Sequence, residues 1–373
     1  RRQIPVVPRA EMLAELMRMK KSIAVGGAHG KTTTTSLVAT ILAATGLDPT
    51  AVIGGKLDAF GSNARLGAGE LIILEADESD GSFLHLSPNW AVITNIDREH
   101  LDFYQDMDHV RKAFVDFANR VSWLEGAVIA GIDDPEVRGI LPRIRKRIIT
   151  YGLGTPADIR GDDPAFGGGN SSCTVYERGR ELGRLHLPIP GAHNLSNALA
   201  AVALALELNI APEMIFKSLA TFRNAHRRFE IKGECADVLV VDDYAHHPTE
   251  IRATLAAAVR GWDRRVVVAF QPHRYTRSRD LEEEFLTSFD VAALVFVTEI
   301  YAAGEDPIQG VSGEWLAHRL HERGRPEVYY VRDKAELPAA LAAAVRPGDL
   351  VLTLGAGDVW KAGDGLLALL GEK

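Results

Sequence analysis

The sequence predicts an α/β protein of two domains, each with a mostly parallel sheet that is covered by helices on both faces. Short apolar segments of strand length alternate with segments of helix length through most of the 373 residues, which is the pattern of successive βαβ units. This alternation pauses in a glycine-rich stretch at 155–190 and restarts after residue 225. A chain of this length can form more than one hydrophobic core.

The first domain is predicted from three buried strands and two helices. The strands are Leu71–Leu74, Ala91–Thr94 and Ala127–Ala130, and the helices are Val110–Val121 and Leu195–Leu208. Within 155–190, the segments Cys173–Tyr176 and Arg184–Leu187 lie between glycines, and we expect them to form a small antiparallel sheet attached to this domain.

The second domain is predicted from five strands with helices between them. The strands are Val238–Val241, Arg265–Ala269, Ala293–Val297, Val328–Val331 and Leu350–Thr353, and the helices include Thr249–Val259 and Ala335–Val345. This order predicts a second doubly wound, Rossmann-like sheet. We place the boundary near 222–228, which gives domains at 21–224 and 225–373 after a lead-in segment at 1–20.

Composition and charge narrow the class of protein. The chain has 42 basic and 50 acidic residues and a net charge of −8, which does not favour nucleic acid or an anionic membrane as a partner. It contains no apolar run of the ~20 residues that span a membrane. Cys173 and Cys235 are not spaced as a metal site, and two cysteines are typical of a cytoplasmic protein. We expect small-molecule substrates and a monomer or homodimer.

The segment Gly27–Thr35 reads Gly-Ala-His-Gly-Lys-Thr-Thr-Thr-Thr and is typical of a phosphate-binding loop. It follows the strand candidate Ser22–Gly26 and precedes the helix candidate Ser36–Ala44. Glycines in such a turn let successive backbone N–H groups point at one anion, and the helix adds its positive N-terminus. The sequence therefore predicts a nucleotide phosphate site between this strand and this helix.

Two side chains of this loop suit phosphate chemistry. Lys31 can reach a β- or γ-phosphate, and the Thr32 hydroxyl can ligate Mg²⁺. The full pattern has a further glycine where this chain has Val25, so the loop is a shortened G-x-x-G-K-T version. The alternative is a glycine turn followed by Lys-Thr by chance, which we disfavour because a strand and a helix flank the loop.

Possible metal ligands follow the next two strands. Glu75 comes directly after the apolar run Leu71–Leu74, and a carboxylate at that position usually holds the Mg²⁺ of a nucleotide. The alternative is a solvated acidic loop. His100 follows the next strand and could ligate a metal or lie near the phosphates, although a lone histidine is more often structural. Convergence of three strand ends on one crevice favours the functional interpretation of His100.

Candidate contacts for a nucleoside lie further along the chain. His193, Asn194 and Asn197 open an alanine-rich helix and offer hydrogen-bonding edges that suit a purine base. Asn194 could instead be an ordinary helix N-cap. Asp243 follows the first strand of the second domain, where an acidic residue can bind a ribose.

Two further motifs lie in the second domain. The adjacent His246 and His247 suggest zinc, but neighbouring side chains tend to point apart and no further His or Cys has suitable spacing. The one concentrated basic loop contains Arg274, Arg277 and Arg279, and arginine forks bind carboxylates and phosphates. A charged helix cap is the alternative, and it explains Arg279 better than the other two.

Together, these motifs resemble those of the Mur ligases, and the resemblance runs over essentially the whole chain. The motifs that carry it are GGAHGKTTTT, EADESDGSFLHL, TNIDREHLD, GAHNLSNA, RRFE, DDYAHHPTE, FQPHRYTRSRDL, EIYAAGEDPI and LGAGD. The resemblance implies a P-loop-type central ATPase domain with a mostly parallel sheet and a small antiparallel sheet, followed by a Rossmann-like C-terminal domain. It also implies that ATP and Mg²⁺ are cofactors.

The resemblance also assigns roles to residues at matching positions. It implies an ATP site at Gly27, His29, Gly30, Lys31, Thr32 and Thr33, with His193, Asn194 and Asn197 on the adenine side and Arg228 and Asp243 nearby. It implies metal ligands at Thr32, Glu75 and His100, and substrate contacts at Tyr244, His246, Arg274 and Arg277. The residues with catalytic roles would be Lys31, His100, His246 and Arg274.

The alanine-adding members of the family resemble the chain most. They imply an ATP-dependent ligase that joins L-alanine to the carboxylate of UDP-N-acetylmuramate through an acyl phosphate, in peptidoglycan precursor synthesis. Several Mur ligases carry a carbamylated lysine where this chain has Phe114, with Lys112 two residues away, and alanine-adding members are expected to lack it. One alternative is the recycling ligase that adds a tripeptide to the same sugar nucleotide.

A second alternative concerns the amino-terminal domain of the family, which binds the UDP moiety. The chain does not begin with Met, and residues 1–20 resemble the last part of that domain, so we expect the UDP-binding domain to be missing. The chain could then be a catalytically incomplete ATP-binding fragment.

Overall fold

The computed structural model describes residues 6–57, 62–324 and 326–371, and the chain divides into two compact units after His226. The short segment Phe166–Gly169 groups with the second unit. No helix among the described residues combines the length and apolar character needed to cross a membrane.

The first part of the chain contains the predicted strands and helices together with further elements that were not predicted, among them the strands Thr50–Leu57 and Ser62–Arg65. Its elements are α1 (Arg9–Arg18), β1 (Lys21–Gly26), α2 (Lys31–Ala44), β2 (Thr50–Leu57), β3 (Ser62–Arg65), β4 (Leu71–Glu75), β5 (Trp90–Ile93), α3 (Leu101–Tyr104), α4 (Met107–Asn119), β6 (Ala127–Gly131), α5 (Pro135–Ile140), β7 (Ile148–Leu153), β8 (Ile159–Gly167), β9 (Asn170–Glu177), β10 (Arg180–Leu187), α6 (Ala192–Glu207) and α7 (Pro212–Leu219).

One large sheet organises the first unit, with the strand order β10-β9-β8-β7-β6-β5-β1-β4-β2-β3. The strand β1 lies between β4 and β5 and is parallel to both, with Val25 opposite Glu75 and Gly26 opposite Ile93. The carboxyl ends of these three strands therefore lie side by side, which is where ligands bind in open α/β sheets.

The predicted antiparallel region is also present. The strands β9 and β10 pair antiparallel, whereas β8 pairs parallel with β7. The region thus extends the main sheet instead of forming a sheet of its own.

Packing around α4 explains why no lysine stands at position 114. Phe114 is buried, and its ring centroid lies 5.4 Å from that of Phe83, which in turn lies 5.0 Å from that of Phe117. Lys112 lies on the exposed side of the helix and its Nζ is 2.7 Å from Asp116 Oδ2. Position 114 is therefore part of the hydrophobic core, and Lys112 takes part in a surface ion pair.

The second unit contains the predicted strands and helices together with one strand that was not predicted. Its elements are β11 (Glu230–Cys235), β12 (Val238–Asp243), α8 (Pro248–Gly261), β13 (Arg265–Phe270), α9 (Tyr275–Asp280), α10 (Glu282–Leu286), β14 (Leu294–Val297), α11 (Gly313–Glu322), β15 (Glu327–Tyr330), α12 (Leu337–Ala344), β16 (Asp349–Leu354) and α13 (Trp360–Gly371).

The second sheet has the order β11-β12-β16-β13-β14-β15 and is parallel except for the edge strand β11. Successive residues of β13 join different hydrophobic clusters: Val266 and Val268 one cluster, Val267 and Ala269 another. Because side chains alternate across a strand, both faces of this sheet are covered, and the predicted doubly wound architecture is confirmed. The last strand, β16, lies between β12 and β13.

Candidate active site

The glycine loop connects β1 to α2, and residues that follow β5 hold it in place. The backbone oxygen of His29 accepts hydrogen bonds from Thr94 Oγ1 at 2.6 Å and Asn95 Nδ2 at 3.0 Å. The backbone N–H of His29 donates to Asn95 Oδ1 at 2.8 Å, and His29 Nε2 lies 2.9 Å from Asp97 Oδ2. The loop is therefore fixed by its sheet neighbour, and the side chain of His29 contributes to this bracing.

The N-terminus of α2 is open to an anion. Gly30 caps the helix with a left-handed φ of 82°, and no side chain caps the first turn. The orphan N–H groups of that turn and the helix dipole favour a bound phosphate. Among the residues of this turn, Thr32 and Thr33 are buried, and Thr33 Oγ1 lies 3.4 Å from Asn224 Oδ1.

Gly27 cannot take a larger side chain, and this gives a first prediction. Its φ is 137°, and a Cβ built on it would lie 2.0 Å from Thr94 Oγ1 and 3.1 Å from the backbone oxygen of Asn95. We expect Gly27→Ala to displace the loop and to weaken ADP binding by about tenfold or more, which is the size expected when one hydrogen bond to a charged phosphate is lost. Isothermal titration calorimetry with ADP measures the change.

Gly46→Ala is the matched control for this prediction. Gly46 also has a positive φ, 77°, but no atom lies within 4 Å of the position of its Cβ. The control should therefore show the backbone strain alone, with ADP affinity unchanged. Equal ADP affinities of the Gly27 variant and the control would contradict the prediction.

Lys31 points into its own loop. Its Nζ donates to the backbone oxygens of Gly27 at 2.7 Å and Ala28 at 3.2 Å, and to both carboxylate oxygens of Glu78 at 2.8 and 2.7 Å. Burial acts to lower the pKa of Lys31, but the charge of Glu78 and its hydrogen bonds prevail and hold the pKa above its usual range. Lys31 is therefore a protonated, buried ammonium at the centre of the loop.

Glu78 is a site residue that the sequence argument missed. It is 3% exposed, and burial raises the pKa of its carboxyl to about 7 against the opposing charge of Lys31. Tyr104, on α3, donates its hydroxyl to the backbone oxygen of Glu78. The motif Glu75-Ala-Asp-Glu-Ser-Asp80 offers four carboxylates, and the sequence gives no signal that the fourth residue turns inward.

The predicted metal ligands form two neighbouring groups. Thr32 Oγ1 lies 3.2 Å from Glu75 Oε2, directly at the end of β4. His100 Nε2 lies 4.0 Å from Glu78 Oε1, and ligand atoms of Glu78, Glu99 and His100 all lie within 4.8 Å of one another. Hydroxyl and carboxylate oxygens are the ligands that Mg²⁺ prefers, so Thr32 and Glu75 fit that ion. The imidazole of His100 is a less typical ligand for it.

The predicted adenine contacts lie on α6, and one of them reaches the loop. A Cβ built on Gly30 would lie 2.5 Å from Asn197 Oδ1, so the Asn197 amide packs directly against the glycine loop. Asn194 is buried and its Nδ2 donates to the backbone oxygen of Pro190 at 2.6 Å, while Gly191 takes the N-cap position. Asn194 is thus not the N-cap. His193 lies partly exposed in the same first turn, and the adenine roles of these residues stay predictions.

In the second unit, Asp243 braces the backbone at the end of β12. Its two carboxylate oxygens accept hydrogen bonds from the backbone N–H groups of Phe229 and Ala245, each at 2.7 Å. Burial raises the pKa of Asp243 to about 6, and the charge of Arg228 opposes this rise. The carboxylate is therefore engaged with its own chain, and the predicted ribose contact stays a prediction.

The raised pKa of Asp243 predicts a pH dependence of stability. The folded state keeps this proton up to about pH 6, whereas an unfolded aspartate releases it near 3.8. Between those values the folded state binds more protons, so this group's contribution to the free energy of unfolding falls as pH rises. Urea unfolding between pH 3.8 and about pH 6 should show that, as pH rises, the unaltered chain loses stability relative to Asp243→Asn. Parallel pH profiles would contradict the prediction.

Tyr244, His246 and Arg277 come together through His273. The ring of His246 lies 5.4 Å from that of Tyr244 and 5.2 Å from that of His273, measured between centroids. Arg277 Nη1 lies 2.9 Å from His273 Nδ1 and donates to the backbone oxygen of His273 at 3.1 Å. The predicted substrate residues are therefore neighbours at the carboxyl ends of β12 and β13. His273 was missed because it stands inside the basic motif without a distinctive spacing.

Two arginines lie beside this cluster. The guanidinium carbon of Arg228 lies 5.2 Å from the centroid of the Tyr244 ring. Arg274 has a positive φ of 71°, and its Nη1 lies 3.9 Å from Glu305 Oε1.

The adjacent histidines His246 and His247 make different contacts. His246 Nδ1 lies 3.0 Å from the backbone oxygen of Tyr244, whereas His247 Nδ1 accepts a hydrogen bond from the N–H of Thr249 at the start of α8.

Arg227 is a third residue that was missed in the sequence. Its Nε donates to the buried Asp242 at 2.9 Å, and its Nη groups donate to the backbone oxygens of Gly355 at 2.6 Å and Gly357 at 2.8 Å. Thr353 Oγ1 donates to the other oxygen of Asp242 at 2.7 Å. Arg227 therefore ties the start of the second unit to the loop after β16. It also places Tyr244, whose N–H donates to the Arg227 backbone oxygen.

Comparison with known proteins agrees with the resemblance found in the motifs. A family model described as the Mur ligase middle domain matches residues 25–205. A second model, described as the Mur ligase, glutamate ligase domain, matches residues 227–357. The two matched segments contain both groups of site residues described above.

Three relatives are similar along nearly the whole chain. A UDP-N-acetylmuramate–L-alanine ligase of Geotalea uraniireducens (strain Rf4) is 53% identical over 99% of this chain and 80% of its own length. The ligase of the same name from Myxococcus xanthus (strain DK1622) is 54% identical over 99% of this chain and 78% of its own. The crystal structure of UDP-N-acetylmuramate–alanine ligase MurC from Thermotoga maritima has a TM-score of 0.81 at 29% identity, covering 98% of this chain and 79% of that one. With its two matching domains and these relatives, the chain belongs to the Mur ligase family.

Proposed function

We propose that the chain is an ATP-dependent amide ligase that joins L-alanine to the carboxylate of UDP-N-acetylmuramate. The observation that carries this proposal is the identity of 53% and 54% with two ligases of that name over 99% of the chain. The glycine loop with Lys31 supports the use of a nucleoside triphosphate. Bound ATP supplies the phosphoryl group that activates the substrate carboxylate.

We assign the charge-neutralising roles to residues of the first unit. Lys31 and the open N-terminus of α2 would bind phosphate oxygens, and phosphoryl transfer depends mainly on such positioning and neutralisation. Thr32 and Glu75 would hold Mg²⁺, with His100 beside them. Asn197 would contact the nucleotide from α6, since its amide packs against the loop.

The second unit would bind the other substrates. Arg274 and Arg277 offer forked donors that suit carboxylate or phosphate groups. Tyr244 and His246 would line the same place, because the ring of His246 contacts those of Tyr244 and His273. We assign His246 to the alanine side, where a neutral imidazole can accept a proton from an amine.

Alanine-dependent formation of ADP tests the proposal. Purified protein is assayed with ATP, Mg²⁺ and UDP-N-acetylmuramate, with and without L-alanine, as the 373 residues and with any upstream residues encoded in the same frame. We expect ADP to form only when alanine is present. ADP formation driven by the tripeptide and not by alanine would favour the recycling ligase. No turnover with either amino substrate would favour an incomplete ATP-binding fragment.

A further inference from the structure

The ammonium of Lys31 already has a full set of partners. An ammonium has three N–H donors, and Lys31 directs them to two backbone oxygens of its own loop and to the carboxylate of Glu78. The side chain of Lys31 is 18% exposed and that of Glu78 is 4% exposed, so solvent screens this ion pair only weakly. A phosphate oxygen that binds Lys31 must therefore displace at least one of these acceptors.

Glu78 is the acceptor that carries a charge, and it depends on Lys31. Each oxygen of its carboxylate accepts a hydrogen bond from Lys31, and Glu78 lies beyond the Thr32–Glu75 pair at the end of β4. Its backbone is fixed, because its carbonyl oxygen accepts from Tyr104 Oη and from the N–H of Gly81 at 3.1 Å. The position of the carboxylate beside Lys31 is therefore set by the fold and does not result from a mobile surface chain.

We infer that Glu78 is a positioning residue that competes with the nucleotide phosphate for Lys31. The inference rests on the proposed function and adds a residue to it. Glu78 keeps Lys31 charged and directed into the glycine loop, and phosphate binding then exchanges one ion pair for another. Such an exchange makes nucleotide affinity lower than it would be with a neutral side chain at position 78, and it favours release of ADP after turnover.

Binding of ADP in the presence of EDTA tests the competition directly, because no metal can contribute. The proteins are the unaltered chain, Glu78→Gln, Lys31→Met and the double variant, titrated by calorimetry. We expect Glu78→Gln to bind ADP about tenfold more tightly, the size expected when one charge-assisted hydrogen bond no longer has to be given up. In the Lys31→Met background, Glu78→Gln should leave the ADP dissociation constant unchanged, since the competition acts through Lys31.

Two variants serve as controls. Glu78→Asp keeps the negative charge, so its ADP affinity should be closer to that of the unaltered chain than to that of Glu78→Gln. Asp80→Asn removes a carboxylate of the same loop that bonds the N–H of Ser82 and not Lys31, so it should not change ADP affinity. If Glu78→Gln fails to fold, Glu78→Met takes its place, because it also removes the negative charge and should likewise bind ADP more tightly than the unaltered chain.

Three outcomes would overturn the inference. The first is weaker ADP binding by Glu78→Gln, and the second is an equal change in both Lys31 backgrounds, which would indicate a purely structural role. The third is an effect seen only when Mg²⁺ is added, which would make Glu78 a metal ligand instead. Absence of ADP binding by the unaltered chain both in EDTA and with Mg²⁺ would overturn the proposed function itself and would leave the Lys31–Glu78 pair as a structural ion pair.

Discussion

We expect Lys31→Met to reduce alanine-dependent ADP formation by about 10³-fold or more and to lower the free energy of unfolding by about 3–5 kcal/mol. The loss of activity follows from removing the ammonium that we propose to bind phosphate oxygens. The loss of stability follows because Glu78, which is 3% exposed, would keep a buried carboxylate without its donor. Urea unfolding and a coupled assay for ADP measure the two effects on one preparation.

Lys112→Met is the matched control for this prediction. Lys112 belongs to the exposed pair with Asp116, and such pairs contribute about 0–1 kcal/mol. We expect this variant to unfold and to turn over like the unaltered chain. Adding Glu78→Gln to Lys31→Met should restore part of the stability and none of the activity. Full stability of Lys31→Met on its own would show that the buried pair does not contribute to folding as we describe.

The second large effect is expected at Arg227. We expect Arg227→Ala to lower the free energy of unfolding by about 3–5 kcal/mol, as breaking a buried ion pair commonly does. Asp242 is 1% exposed, and the backbone oxygens of Gly355 and Gly357 would lose their donors at the same time. Urea unfolding followed by tryptophan fluorescence measures the change, because Trp262, Trp315 and Trp360 report on the second unit.

Two comparisons keep this second prediction specific. Arg279→Ala removes an exposed guanidinium whose partner is the adjacent Asp280, and it should change stability by less than about 1 kcal/mol. Arg227→Ala combined with Asp242→Asn should regain part of the loss, since the buried charge is then gone. A loss of less than about 1 kcal/mol for Arg227→Ala would contradict the account of Arg227 as the tie between β12 and the loop after β16.

Strands with continuous apolar runs could be predicted from the sequence. The run Leu71–Leu74 and four of the five runs of the second unit are buried on both faces, so hydrophobicity alone marks them. The fifth run belongs to the edge strand β15, none of whose residues is buried, and it was predicted from its aromatic and β-branched residues. The edge strand β11 was missed because Glu230, Lys232 and Glu234 prevent a continuous apolar run and none of its residues is buried. The place of β16 between β12 and β13 could not be predicted, since strand order depends on contacts between distant segments.

The same holds for the site: residues marked by local sequence signals could be predicted, and residues whose role depends on distant contacts could not. The glycine loop, Lys31 and Thr32 follow from strand, turn and helix signals that adjoin one another in the sequence, and Glu75 follows from its position at the end of an apolar run. Glu78 and Arg227 could not be found in this way. The position of Glu78 depends on hydrogen bonds with Tyr104 and Lys31. The position of Arg227 depends on hydrogen bonds to backbone oxygens about 130 residues further along the chain. A residue's charge is visible in the sequence, but its partner across the fold is not.

The central position of β1 has a consequence for hydrogen exchange and for cooperativity. The amides of Ala76 and Thr94 donate to Val25 and Gly26 of β1, and the amide of Ala28 donates to Asn95. These amides can exchange with solvent only when the middle of the sheet opens, so the loop belongs to the most slowly opening part of its unit. A substitution that loosens β4 or β5 would therefore change phosphate binding without touching the loop, and the unit would lose its fold and its ligand in a single transition.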